Sequence, residues 1–253
     1  MLTQSPVFVF IMSKSPQATA HPSNRTRQSV MKRVLTAISS IYGNPAWSPD
    51  ESADGRDVLS ALILTILSQS TTDGNRDVAY ARLRRRFPTW EKVLEAEVNK
   101  VKEAIRPGGL SRQKSARIQA LLAWLKKTRN ELSAEFLRDL DLPEAMDRMG
   151  HLRGIGVKTL GVVLMFTCGR DVFPVDTHVH RVCRRLGLID EKCSAEKAHA
   201  EMANLLRAGE SYAAHVNFWK FGKFICRARR PNCDACPLVK DCVYPEKDFS
   251  KAR

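Results

Sequence analysis

The sequence contains no apolar run approaching the ~20 residues that cross a bilayer, so its 253 residues are read without a membrane-spanning helix. It has no sustained alternation of apolar and polar residues and no internal repeat, which leaves an all-α chain of many short helices. It is short of acids: 27 Asp and Glu stand against 41 Lys and Arg, a formal net charge of +14. Such an excess points to a polyanionic partner, nucleic acid ahead of an acidic membrane surface, although charge alone also fits a merely basic protein. A secretion signal is missing too. The apolar stretch from Val7 to Met12 is too short and no basic segment leads it. A cytoplasmic location is therefore expected. Without secretion a disulfide framework is not expected, and bunched cysteines point to metal.

Residues 1–29 are rich in Ser, Thr, Gln, Asn and Pro and carry no helical period. They are expected to form a disordered tail, or to precede a true start at Met12 or Met31. From Val30 onward nearly everything reads as helix. Val58 to Leu67 is apolar almost all round, as in a buried helix. Asp73 is expected to cap the next helix, ending near Phe87 and Pro88. Thr89 would cap another, closed by Pro107, Gly108 and Gly109. Ile118, Leu121, Leu122 and Leu125 share one helical face, and Val179, Val182, Cys183 and Leu186 repeat that spacing. Tyr212 to Ile225 forms a further helix carrying five aromatics.

Four of the seven cysteines, Cys226, Cys233, Cys236 and Cys242, crowd together with six, two and five residues between them. Zinc and iron–sulfur centres both accept four thiolates. Zinc ribbons usually supply two close pairs, whereas one pair is present here, so the spacing favours iron–sulfur without excluding zinc. The loop after the first cysteine offers Arg227, Arg229 and Arg230, either as phosphate contacts or as a solvated charge run.

The segment Leu152-Arg153-Gly154-Ile155-Gly156-Val157-Lys158-Thr159 lies between two helical stretches, Pro143 to Met149 and Val157 to Phe166. Its glycines allow a tight turn with exposed N–H groups before a helix start, a nest for a DNA phosphate, though such turns also merely join helices. Lys158 falls in the first turn, where the helix dipole disfavours a charged amine, and an unprotonated amine is a nucleophile. A solvated or phosphate-binding lysine is the plainer reading. Asp176, in Val175-Asp176-Thr177-His178, is placed to cap a helix, or to line a cleft as a working carboxylate. His178 and His180 read as helix-face residues rather than ligands.

Taken together in this order, these motifs make the chain resemble the endonuclease III family of DNA glycosylases, in the helix-hairpin-helix superfamily. The resemblance covers about residues 32 to 246. It implies a two-lobed all-α fold: a six-helix barrel with the hairpin over residues 51–170, and an iron–sulfur lobe built from residues 30–50 and 171–246. It implies a [4Fe–4S] cluster on the four cysteines, Lys158 as nucleophile with Asp176 as its partner, and damaged double-stranded DNA bound by a monomer. The expected activity is that of a base-excision glycosylase and lyase acting on oxidised pyrimidines. A monofunctional mismatch-type enzyme, which lacks the lysine, and a non-catalytic iron–sulfur DNA-binding protein are the alternatives. Two departures stand out. Arg153 replaces a proline common in the family hairpin. The family glutamine that fills the hole left by the extruded base aligns with Ser70, while Gln69 lies one residue early and is the expected filler. Leu110 resembles a second wedge, against the opposite strand. The expected DNA contacts are thus Gln69, Ser70, Leu110, Arg153, Gly154, Gly156, Arg227, Arg229 and Arg230.

Overall fold

Every regular element among the described residues of the computed structural model, 24–49 and 55–249, is helical. In chain order the α-helices are α1 (Asn24–Tyr42), α2 (Val58–Ser68), α3 (Asp73–Arg86), α4 (Trp90–Glu95), α5 (Val98–Ala104), α6 (Ser111–Arg129), α7 (Leu142–Met149), α8 (Val157–Phe166), α9 (Thr177–Arg185), α10 (Ala195–Ala203) and α11 (Ser211–Phe224), with 3-10 turns at Arg106–Gly108 and Glu135–Asp139. Their buried side chains divide into two clusters. One is drawn from positions between Val58 and Leu164, with α2 at its centre, packed on α3, α6 and α8. The other joins Met31, Val34 and Ile38 of α1 to residues from Phe173 to Leu238. The chain thus leaves the second cluster after α1, builds the first, and returns.

Local chemistry fixes most helix starts. Asp57 caps α2 by accepting from the Ser60 N–H, and Asp141 forms a reciprocal capping box with Glu144 on α7. α3 is capped by Thr72, which accepts from the Asn75 N–H, rather than by Asp73, which sits in the first turn. Thr89 does cap a helix, but the stretch to Ala104 is two helices and not one. Gln119 of α6 explains the break. Its amide donates to the carbonyls of Val93 at 3.0 Å and Ala96 at 2.7 Å, supplying partners for groups that a continuous helix would have satisfied itself.

The tail expected over residues 1–29 is corrected at its end. Helix α1 already begins at Asn24, and positions 1–23 lie outside the described residues. Tertiary pairing carries this polar segment: Arg27 bonds Glu201 of α10 at 2.9 Å, and Arg33 bonds Asp241 beside the last cysteine at 2.7 Å. Phe218 of α11 is fully buried in the second cluster, against Phe173. Phe218→Ala is expected to cost about 3–5 kcal/mol of stability. Chemical denaturation measures it, and a loss under ~1 kcal/mol would place this side chain outside the core.

Candidate functional site

The α7–α8 pair is a helix-hairpin-helix. After α7 the chain turns through bonds from the Leu152 N–H to Met149 and the Ile155 N–H to Leu152, both 2.9 Å. Ile155 anchors the turn in the first core, and Arg153 stays exposed. Gly154 is required twice over: its φ is +90°, and a Cβ there would stand 2.5 Å from Arg117 Cδ. Gly156 is extended and gives α8 no side-chain cap, so the first-turn N–H groups of α8 are left for an outside acceptor.

Gln69 faces the hairpin. Its amide donates to the Gly154 carbonyl at 2.9 Å, and its own oxygen accepts from Arg117 at 2.6 Å. It therefore braces the hairpin from behind. The exposed turn beside it belongs to Ser70, in the left-handed conformation at φ 52°. Leu110, the start of α6, is left-handed as well, at φ 47°, and 47% exposed. Each such non-glycine residue costs about 1–2 kcal/mol. Both tips are strained and solvent-facing, features that favour a role outside the folded chain.

Lys158 is exposed in the first turn of α8, and Asp176 caps α9 by accepting from the Val179 N–H at 2.8 Å. α8 passes close to the 172–174 segment, which leads into Asp176. One turn beyond Lys158, a Cβ on Gly161 would lie 3.6 Å from Pro174. Two buried histidines hold the backbone just ahead of Asp176. His215 Nδ1 bonds the Pro174 carbonyl at 2.8 Å, and His199 Nε2 accepts from the Val175 N–H at 2.9 Å. That acceptor role requires His199 to be neutral at Nε2, with Nδ1 donating to Ala195. His178 and His180 bond Arg181 and the Cys193 carbonyl, so neither is a free ligand.

Cys226, Cys233, Cys236 and Cys242 line one cavity, with Arg185 and Tyr244 on its wall. Among the described residues no three His, Cys, Asp or Glu side chains stand close enough to grip a single ion. The thiols surround a space instead. Donors already face them: Arg185 bonds Cys226 Sγ at 3.3 Å and the Asp248 N–H bonds Cys233 Sγ at 3.2 Å. Burial pushes the Cys236 thiol up to about 11, aided by the neighbouring cysteines. Four soft donors held this way, with hydrogen bonds aimed at sulfur, suit a polynuclear centre. The loop arginines divide. Arg229 and Arg230 are exposed, while Arg227 is half-buried and donates to the Arg230 carbonyl at 3.0 Å. Arg185 and Arg181, which sequence reasoning did not single out, secure this loop. Arg185 donates to the Arg227 carbonyl at 2.8 Å and Arg181 to those of Cys226 at 3.0 Å and Gly222 at 2.6 Å.

The pattern of the HhH-GPD superfamily base excision DNA repair proteins matches residues 63–208. Endonuclease III of Rickettsia felis is 30% identical over 214 residues, spanning 84% of this chain and 95% of that protein. The chain belongs to the endonuclease III family. Solved structures agree. A trapped endonuclease III–DNA covalent intermediate superposes with a TM-score of 0.72 at 28% identity, covering 85% of this chain and 95% of that one. A non-covalent endonuclease III–DNA complex gives 0.73 at 27%, over the same shares. Plant relatives are longer: the chain spans 65% of an Arabidopsis thaliana protein named as a DNA glycosylase, 34% identical over 192 residues. It spans 13% of the DNA glycosylase/AP lyase ROS1 of that plant, at 28% identity. For this endonuclease III-family fold, no helix among the described residues is long and apolar enough to cross a membrane.

Burial holds the pKa of His199 and of His215 below the ordinary 6.5. The folded state therefore refuses protons that the unfolded chain accepts. Stability is full above pH 6.5 and falls as pH drops below it. His199→Gln, which keeps an acceptor for Val175, is expected to flatten that fall. Denaturation midpoints across the pH series measure it, and an unchanged slope in the variant would remove His199 from the account.

Proposed function

We propose that this protein is a bifunctional DNA glycosylase and abasic-site lyase of base excision repair. The observation that carries the reading is Lys158, exposed in the uncapped first turn of the hairpin helix, with α8 packed against the segment that leads into the capping carboxylate Asp176. Hairpin N–H groups and the exposed Arg153, Arg229 and Arg230 would bind phosphates of bent duplex DNA. Ser70 and Leu110 would enter the duplex from their strained turns, one at the vacated hole and one against the opposite strand. Gln69 supports this from behind the hairpin instead of filling the hole. The extruded nucleotide would then reach Lys158 between the two clusters.

The chemistry follows from those two side chains. The unprotonated Lys158 amine attacks C1′ of the deoxyribose. The C1′–N bond breaks and its electron pair leaves with the base, which takes up a proton. Asp176 offsets the positive charge developing on the sugar. Ring opening gives a Schiff base between Lys158 and C1′. Loss of a C2′ proton then expels the 3′ phosphate by β-elimination, and water releases the lysine. As substrate we infer oxidised or ring-saturated pyrimidines such as thymine glycol. Loss of the planar 5,6-double bond weakens stacking, so extrusion costs less than for a normal base. The protein would act as a monomer on DNA in the cytoplasm.

The four cysteines would hold a [4Fe–4S] cluster, which would tie the C-terminal segment to α9 and α11 and orient the arginine loop. The cavity they line and the donors from Arg185 and Asp248 support this. Purified protein is expected to carry iron and labile sulfide in equal number. Cys236→Ser is expected to lose both together with folding of the second cluster, because metal binding and folding are coupled. Stoichiometric zinc without sulfide, in anaerobic preparations as well, contradicts it.

Lys158→Ala is expected to cut strand cleavage at an abasic site by at least about a thousandfold. Asp176→Asn should slow base release about a hundredfold or more while duplex affinity changes little. Single-turnover rates on thymine glycol, on uracil opposite G and on a bare abasic site separate the outcomes. Faster uracil release would refute the oxidised-pyrimidine assignment, and cleavage of the abasic site alone would leave a lyase without base recognition. Affinity for undamaged duplex is expected to fall steeply with salt, and Arg229→Ala to reduce the slope of log K against log salt by about one.

A further inference from the structure

Lys114, in the second turn of α6, is fully buried. Its Nζ donates to the Leu67 carbonyl and to the Gly108 carbonyl, both at 2.7 Å. Its backbone N–H donates to the Leu110 carbonyl at 3.0 Å. Leu67 lies in the last turn of α2, just before Gln69 and Ser70. Gly108 ends the 3-10 turn Arg106–Gly108, which leads through Gly109 to Leu110. One side chain therefore joins the roots of both left-handed tips.

A lysine is a costly residue for this place. Burial and the nearby Arg117 both act against its charged form, and its two hydrogen-bond partners are neutral carbonyls. Packing alone would be served by an apolar side chain. What an ammonium adds is two strong, directed donors at two chain ends, one the negative end of α2 and the other the end of the Arg106–Gly108 turn. It fixes the distance between those ends. Around it the fit is tight: a Cβ on Gly108 would stand 3.1 Å from that of Ala79 in α3, leaving the Gly108 end little room to drift.

We propose that Lys114 is a positioning residue that bolts the Ser70 and Leu110 tips at a fixed separation, so that both enter the duplex together and hold it open around the extruded nucleotide. This rests on the glycosylase reading above. It explains why two strained turns from different parts of the chain keep one relative placement: each is anchored to the same nitrogen within three residues of its tip. Lys114 touches neither DNA nor Lys158 in this account, so it governs duplex opening and not the chemistry at C1′.

The test separates opening from chemistry. Duplex opening is read by 2-aminopurine placed opposite a tetrahydrofuran abasic analogue, whose fluorescence rises as the opposite base unstacks. Chemistry is read by β-elimination on a single-stranded abasic oligonucleotide, which has no partner strand to pry away. Lys114→Met is expected to weaken the fluorescence response tenfold or more while single-strand cleavage stays within twofold of wild type. Adding Lys114→Met to Leu110→Ala should cost little beyond Leu110→Ala alone. If Lys114→Met does not fold, Lys114→Gln replaces it; it keeps two N–H donors with shorter reach, and a several-fold loss of opening is expected. Opening unchanged in the folded variant overturns the proposal, as does an equal loss of opening and single-strand cleavage, which marks a general structural role. Failure of the wild type to open the duplex or cleave either abasic substrate would instead refute the glycosylase reading on which the proposal stands.

Discussion

The site depends on one local constraint: α8 starts without a cap. Most helices here satisfy their first N–H groups internally, through Asp57, Thr72, Thr89, Asp141, Asp176 or Ser194. Gly156 offers no side chain, and its extended backbone aims the first turn of α8 outward. An anion is the natural complement to that end. The turn before it cannot relax, because Gly154 is pressed against Arg117 and its carbonyl is held by Gln69. The uncapped N–H groups and the amine of Lys158 thus share one helical turn, and in the proposed function a sugar-phosphate bound by the first would be presented to the second.

The partner carboxylate is placed by a different part of the chain. Asp176 spends one oxygen capping α9 and keeps the other available. The backbone before it is clamped by His215 and His199, both kept neutral by burial. Neutral imidazoles hold the segment without adding charge beside Asp176, as the proposed stabilisation of a cationic sugar would require. The two hydrophobic clusters do the rest, since α8 belongs to one and the Asp176 segment borders the other.

Much of this was legible in the sequence, and the exceptions have physical reasons. The hairpin, the cap at Asp176 and the cysteine spacing are short-range patterns, and short-range patterns survive without coordinates. The choice between Thr72 and Asp73 as cap, or between Gln69 and Ser70 at the tip, is a one-residue register that both side chains fit chemically. Only coordinates show Gln69 bonded to Gly154 and Arg117 and Ser70 left exposed. The break between α4 and α5 is invisible because its compensation comes from Gln119, 23 residues beyond Ala96. Lys114, Arg181 and Arg185 read as ordinary surface cations in a chain carrying 41 of them. Burial and contacts to distant carbonyls reveal their roles. The polar start of α1 reads as tail in the sequence because the support of Arg27, Glu201, lies 174 residues away.

The central claim is that Lys158 bonds covalently to the sugar. Reducing the reaction on a thymine-glycol duplex with borohydride should fix that bond, and digestion followed by mass spectrometry should locate it. The account predicts a single DNA-modified peptide, with the modification on Lys158. An adduct mapped to the N-terminal amine or to another lysine, or no adduct while base release proceeds, would contradict it.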